Sequence, residues 1–571
     1  MRASPRWRVV AHDGERVVVV DLDEAGAETA RRWCSPMEWR EAVTASDAAV
    51  RWVWSDTARW YPELLDAGVT VARCHDLRLC RAIVRSSELV TAPELRSPSD
   101  WDAPAVDGTS VRDPGLFDLD DLGDRMRGVP DDIAAVLAEF ARQQVAVAAA
   151  SDPSRLRLLL AAESAGGLLA AELHAAGLPW SRAVHEAILT ETLGARPAAG
   201  AVPERVRELG ADVRTALGDP TASLDSQPKL LRSLHRVGVL ARSTSRWELA
   251  DYDHPAIAPL LQYKKLTRLA SANGWAWLDE WAGDGRFRPV YVPGGVVTGR
   301  WASSGGGALQ LPRQLRPAVH ADPGWVLVVA DVAQLEPRVL AAISGDVSLA
   351  DAARGRDLYD GLVAAGTVPS RAEAKIAMLG AMYGATTGDS GRLVPALRRA
   401  YPRAMGLVDA AARTGEEGGV VSTWLGRSAP PPPAEWHAVQ DRAGAPDASE
   451  TDRDRARRSA RDRGRFTRNF VVQGTAAEWA LAWLADLRGS LAEIAPQAGT
   501  PAEASGPVFS RRPHLCFFLH DEIIVHSPAE LADQVAAMVR ESAARAAHLL
   551  FGGFPIDFPL DLRIAQDAAK T

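Results

Sequence analysis

The chain has 571 residues, 47% hydrophobic and 24% charged, a globular composition that excludes a disordered, collagen-like or disulfide-framed protein. Its 65 basic and 73 acidic residues leave a net charge of −8, which mildly opposes nucleic acid as a partner yet permits one basic groove inside an acidic total. The four cysteines, Cys34, Cys74, Cys80 and Cys516, fit no zinc or redox spacing and read as thiols of a reducing compartment.

Along the chain, residues 1–150 mix short strand-like runs (17–20, 50–54) with helical patterns. The stretch 155–195 is rich in alanine and leucine at helical spacing. A polar stretch, 219–229, separates it from further helices, including 257–273. The text RFRPVYVPGGVVTGRWASSGGGALQLP alternates like a strand and breaks at glycines. Residues 325–346 read strand, turn, helix, and 369–384 read helix. Two segments read as surface loops: 430–433 with the charged run that follows to 463, and 495–513. No leader pattern precedes the first strand and the apolar runs are too short for a membrane span, so a cytoplasmic location is expected.

Four features carry chemistry. The apolar run 325–330 ends abruptly at Asp331, where a carboxylate meets a cleft or caps the following helix. Two more apolar runs, 515–519 and 523–525, are joined by His520, Asp521 and Glu522, an unusual charge load for a plain bend. If Asp331 and Asp521 meet across one sheet, they suit two Mg²⁺ ions and phosphoryl transfer. In SRAEAKIAMLGAMYG, Arg371, Lys375, Leu379 and Tyr383 recur every four residues and share one helical stripe, either a solvated face or a site for a nucleotide triphosphate, sugar and base. Lys375 is one of only five lysines, so its ammonium stands out against the arginine background. Arg465, Asn469 and Gln473 form a second stripe suited to hydrogen bonding with nucleic acid.

Together these segments resemble the family A DNA polymerases, the group of bacterial DNA polymerase I and its Klenow fragment. DVAQLEPR resembles the first palm motif, RAEAKIAMLGAMYG the nucleotide-binding helix of the fingers, and HDE the third motif. TGR at 298–300, TWLGR at 423–427 and RFTRNFVVQGTAA at 465–477 follow the same order, so the resemblance spans about residues 155–571. It implies a mixed α/β right hand of palm, fingers and thumb behind an RNase H-like domain. The expected division is 1–150 exonuclease-like, 151–290 connector and thumb, 291–350 palm, 351–479 fingers and 480–571 palm again.

The resemblance implies a DNA-templated DNA polymerase for gap filling or repair, acting on primer–template DNA and deoxynucleoside triphosphates. It also implies a monomer in the bacterial cytoplasm, near the nucleoid. Asp331, Asp521 and the Val332 main-chain carbonyl would hold two Mg²⁺ ions (or Mn²⁺), with Glu522 close by. Arg371 and Lys375 would neutralise the outer phosphates; Gln334, Leu379 and Tyr383 would line the nucleotide, and Glu336 would crowd a ribose 2′-hydroxyl. Arg300 would read the minor groove at the primer terminus, and Gln310, Arg465, Asn469, Gln473 and His520 would touch DNA.

Departures from the family pattern matter as much. Leu379 stands where the family places an aromatic ring, which predicts weaker nucleotide binding, and Val332 and Ala333 replace Tyr-Ser. In the N-terminal region Asp56 and Asp76 match exonuclease positions, and Asp21 and Asp23 are the nearest candidates for the opening carboxylate strand. Gln143 and Gln144 stand where the closing Tyr-x-x-x-Asp motif belongs. The expectation is a degenerate exonuclease domain without a 5′-nuclease partner. The alternatives are a polymerase that also proofreads and a silent polymerase-like DNA-binding protein.

Overall fold

The run of valines at 17–20 is continuous because its sheet is covered on both sides. A computed structural model describes residues 5–102, 128–198, 200–307, 311–384 and 388–570. Strands β1 (Trp7–Asp13), β2 (Arg16–Leu22), β3 (Glu28–Cys34), β4 (Arg51–Trp54) and β5 (Cys74–Asp76) form one sheet in the order β3-β2-β1-β4-β5. The first three are antiparallel, whereas β4 and β5 run parallel to β1. Successive side chains alternate between faces. Val10, Val19, Trp52 and Trp54 therefore enter one core, and Val9, Ala11, Val18, Val20 and Val53 the other. This is the RNase H-like arrangement that the N-terminal motifs imply.

The chain divides into two compact units. The second comprises Leu178–Arg288, Gly306–Ala321 and Gln566–Thr571. In it β6 (Leu178–Pro179) pairs with β7 (Arg286–Phe287), and Trp180, His185, Trp277 and Phe287 pack ring against ring. Helix Ile257–Asn273 buries Leu260, Tyr263, Leu266 and Leu269 and turns Lys265 and Arg268 outward. Around it lies a groove of about 1110 Å³ lined by Arg246, Lys264, Lys265, Arg268 and Arg313, with no carboxylate in its wall among the described residues. The acidic total does contain a local basic groove.

The first unit holds everything else, including the helix Pro153–Ala176. Here β8 (Val290–Val292) and β9 (Ala302–Gly305) form a hairpin. A second sheet, in the order β11-β12-β10-β13, contains β10 (Trp325–Val332), β11 (His514–Leu519), β12 (Glu522–Pro528) and β13 (Leu560–Ala565), all antiparallel. Helix Arg371–Tyr383 starts where the Ser370 side chain accepts from the Glu373 N–H and stops at Gly384, whose φ of 72° suits glycine. Its buried face, Ala374, Ala377, Met378 and Ala381, joins a core with Leu358, Leu397 and Met405.

One expectation is overturned. The charged run to 463 is not a loop: helix Ala434–Gly444 is followed by Glu450–Ala492, 43 residues long. A capping box of Ser449 and Asp452 opens it, and the ion pairs Arg457–Asp454 and Arg465–Asp462 support its first turns. Much of this stretch is exposed, so it carries little apolar periodicity to read. Among the described residues no helix is long and apolar enough to cross a membrane.

Candidate active site

β10 is buried from Trp325 to Ala330 and reaches the rim of its sheet at the half-buried Asp331. In the β10–β12 register Asp331 lies opposite Glu522, and the Val332 N–H donates to the Asp521 carbonyl at 2.9 Å. The two aspartates that the sequence singles out are thus brought to one rim by neighbouring strands. Burial pushes the Asp521 carboxyl up to about 6, and the charge of Asp331 adds to the rise. Glu522 itself is buried in β12. Gln334 (φ 50°) and His520 (φ 57°) hold the left-handed backbone conformation that non-glycine residues rarely adopt, one in each turn beside the two acids.

Two mutually repelling carboxylates at a half-open rim fit a hard divalent cation, which takes one or two protein carboxylates and completes its shell with substrate and water oxygens. Among the described residues no three or more His, Cys, Asp and Glu side chains gather as a metal site. Glu522 on β12 and Asp561 on β13 lie level with Asp331 in the sheet, one on either side.

Facing the pair is a polar cluster. Glu336 pairs with Arg300, and its other oxygen accepts from the Tyr383 hydroxyl at 2.8 Å. Partial desolvation of its hydroxyl and then Glu336 raise the otherwise exposed Tyr383 above its ordinary range, whereas burial, with Arg300 adding to it, lowers the His520 imidazole. Along the 371–383 helix Arg371, Lys375 and Tyr383 are exposed and Leu379 is half-buried against the core beneath. Arg371 donates to Asp357 at 2.7 Å, and Gln334 donates to the same carboxylate at 2.9 Å. Arg465 is exposed, and Asn469 and Gln473 are half-buried along helix Glu450–Ala492. Gln310 lies outside the described residues.

Sequence reasoning missed Asp357, which caps the helix Leu358–Ala364 and anchors both Arg371 and Gln334. Its position before LYDGLVA was a legible capping signal; its grip on Arg371 was not. Arg427 and Glu163, a buried ion pair at 2.6 Å, were also missed.

In the N-terminal region the structure corrects the reading of Asp21 and Asp23. Asp21 lies on β2 opposite Arg8, which is itself level with Trp52 of β4, and Asp56 follows the far end of β4. That offset is two strands and four residues, about 10 Å across and 13 Å along. The strand beside β4 is β1, which ends in Ala11, His12 and Asp13. Asp21 is spent on Arg8, and Asp23 accepts from the N–H groups of its own turn. Asp56 pairs with Arg78 at 2.7 Å, and Asp76 accepts from the Thr57 and Leu79 N–H groups. Burial, then Asp56, lifts Asp76 to about 6. Gln143 is buried and bonds His75, the Leu77 carbonyl and Glu139, whereas Gln144 is half-buried.

Comparison with known proteins converges on one group. The profile of DNA polymerase family A matches residues 234–567. The thermostable DNA polymerase I of Thermus thermophilus is 26% identical over 406 residues, covering 64% of this chain and 43% of its own. DNA polymerase I of Chloroflexus aurantiacus is 28% identical over 316 residues, covering 50% and 30% respectively. The chain thus spans less than half the length of these curated relatives. Among solved structures, the POL domain of Pol1 from M. smegmatis, in complex with DNA primer-template and dNTP, is similar with a TM-score of 0.64. It is 17% identical, with 99% of this chain and 96% of that one covered. That likeness establishes the fold.

Proposed function

Because the chain belongs to DNA polymerase family A, we propose that it is a DNA-templated DNA polymerase adding deoxynucleotides to a primer 3′-hydroxyl. The observation that carries this reading is the convergence of Asp331, at the end of β10, and Asp521, in the turn that enters the neighbouring β12, with the Arg300–Glu336–Tyr383 cluster beside them. Asp331, Asp521 and the Val332 carbonyl would hold two Mg²⁺ ions, with Mn²⁺ an acceptable substitute. Such ions supply a lowered pKa at the attacking hydroxyl and charge neutralisation at the leaving pyrophosphate.

The chain's own residues do the rest. Arg371 leaves Asp357 to meet the outer phosphates, and the exposed Lys375 joins it as a point charge. Glu336, fixed by Arg300 and Tyr383, stands where a 2′-hydroxyl would clash. Gln334 and Leu379 line the nucleotide. Arg300, Gln310, Arg465, Asn469, Gln473 and His520 contact primer or template near the new pair, and the groove around Lys265 grips phosphates. We place the connector and thumb in 151–290, the palm in 291–350 and 480–571, and the fingers in 351–479. We place the work of this monomer in gap filling or repair at the bacterial nucleoid.

The test is extension of a 5′-labelled primer on a template with Mg²⁺ and one nucleotide at a time. The expected result is growth by one residue with the complementary nucleotide alone, and an intact primer when no nucleotide is added. Untemplated addition, or no addition, contradicts the reading; primer shortening without nucleotide means that the N-terminal region proofreads.

A further inference from the structure

The turn that delivers Arg300 rests on a buried ion pair from two distant segments. Between β8 and β9 the chain reverses through Gly294–Arg300, where the Gly299 N–H donates to the Val296 carbonyl at 2.7 Å and the Val296 N–H to the Arg300 carbonyl at 3.0 Å. Gly294 (φ 62°) and Gly299 (φ 84°) leave no space for a side chain: a Cβ would stand 2.6 Å from Glu163 Oε1 and 2.5 Å from Arg427 Nε respectively. Glu163 and Arg427 are 1% and 8% exposed, so the turn sits on a dry, charged floor.

Arg427 is in turn held by its own loop and by the RNase H-like region. The Arg427 N–H donates to Thr423 Oγ1 at 2.9 Å, and the Thr423 N–H donates to the Arg427 carbonyl at 2.9 Å. From the N-terminal region, Ser87 Oγ donates to the Gly426 carbonyl at 2.7 Å and the Glu88 N–H to Ser428 Oγ at 2.9 Å. Gly426, at φ 104°, faces Leu89 so closely that a Cβ would collide with it. Asp21, Asp56 and Asp76 of the RNase H-like region are meanwhile committed to arginines and backbone caps.

We propose that Glu163 and Arg427 are positioning residues for Arg300, and that residues 87–89 of the RNase H-like region lock the loop that carries Arg427. This gives that region a task in the polymerase reaction that needs none of its acids. The proposal rests on the polymerase reading above.

The test is nucleotide incorporation by the full chain over a range of nucleotide concentrations up to saturation, with Glu163→Gln, Ser87→Ala and Arg300→Ala alone and combined. Glu163→Gln keeps the shape of the side chain, and Ser87→Ala removes one hydrogen bond, so folding is preserved in at least one of them. Expected are a rate loss of about tenfold for Glu163→Gln and of about threefold for Ser87→Ala, with the nucleotide KM changed less than twofold. Neither adds more than about twofold to Arg300→Ala, because both act through it. Effects that multiply fully with Arg300→Ala, or an unchanged rate in Ser87→Ala, overturn the proposal while the polymerase reading stands. An inactive parent chain removes both.

Discussion

Glu478 shows what a buried acid costs in this protein. It accepts from the Thr423 hydroxyl and, at 2.9 Å, from the Leu425 N–H, yet burial still lifts its carboxyl from 4.5 to about 7. A raised carboxyl pKa contributes stability that is complete below 4.5 and lost as pH rises through about 7, a change of about 3 kcal/mol. Between pH 5 and pH 8 the melting temperature of Glu478→Gln should therefore gain on that of the parent by several degrees; parallel pH profiles would contradict this. Leu379 calls for the opposite kind of change. Half-buried on the helix that carries Arg371 and Lys375, it offers an incoming sugar less surface than a ring. Leu379→Phe should lower the KM for deoxynucleotides several-fold, and an unchanged or higher KM would sink that idea. Asp331 and Asp521 were legible because one ends an apolar strand with a charge and the other charges the bend between two apolar strands. Glu163 was not: in LLLAAESAGG a single acid reads as the outer edge of a helix, and only its pairing with Arg427 marks it as interior.

Among the elements, helix Glu450–Ala492 is where sequence and structure part. Its first half presents charges on several sides and so has no apolar stripe to reveal it, while its second half buries Phe470, Trp479 and Trp483. Where it crosses helix Pro402–Glu416, glycine is required for contact: a Cβ on Gly415 would run into the Thr467 side chain and stand 2.9 Å from the Arg463 carbonyl. On the same helix Gly406 is exposed and has nothing within 4 Å of a would-be Cβ. Gly415→Ala should cost about 1–3 kcal/mol by overpacking, whereas Gly406→Ala should gain up to about 1 kcal/mol from helix propensity. Denaturant melts of the two variants check this, and equal effects would mean that the crossing is looser than described. The strands were easier to read. β10 and β12 are bounded by abrupt changes from apolar to charged residues, and a sheet covered on both faces leaves that signature in the text.

At the scale of the whole molecule, charge is distributed against its total. A chain of net charge −8 keeps Lys264, Lys265, Arg268, Arg246 and Arg313 around one groove of its second unit. The sequence hid this groove because its wall is drawn from three separate stretches. If the groove grips DNA phosphates, Lys265→Ala should weaken primer–template binding alike on all sequences and flatten the salt dependence by about one unit of slope. A slope unchanged from the parent would assign DNA binding elsewhere. The central claim is more compact: Asp331 at the end of β10 and Asp521 in the turn before β12 share divalent cations. Mn²⁺ binding to the full chain with primer–template bound, followed by electron paramagnetic resonance, tests it without reference to catalysis. The account predicts saturable binding in the parent that weakens at least tenfold in both Asp331→Asn and Asp521→Asn, each still folded; Mn²⁺ affinity indifferent to either substitution would contradict it.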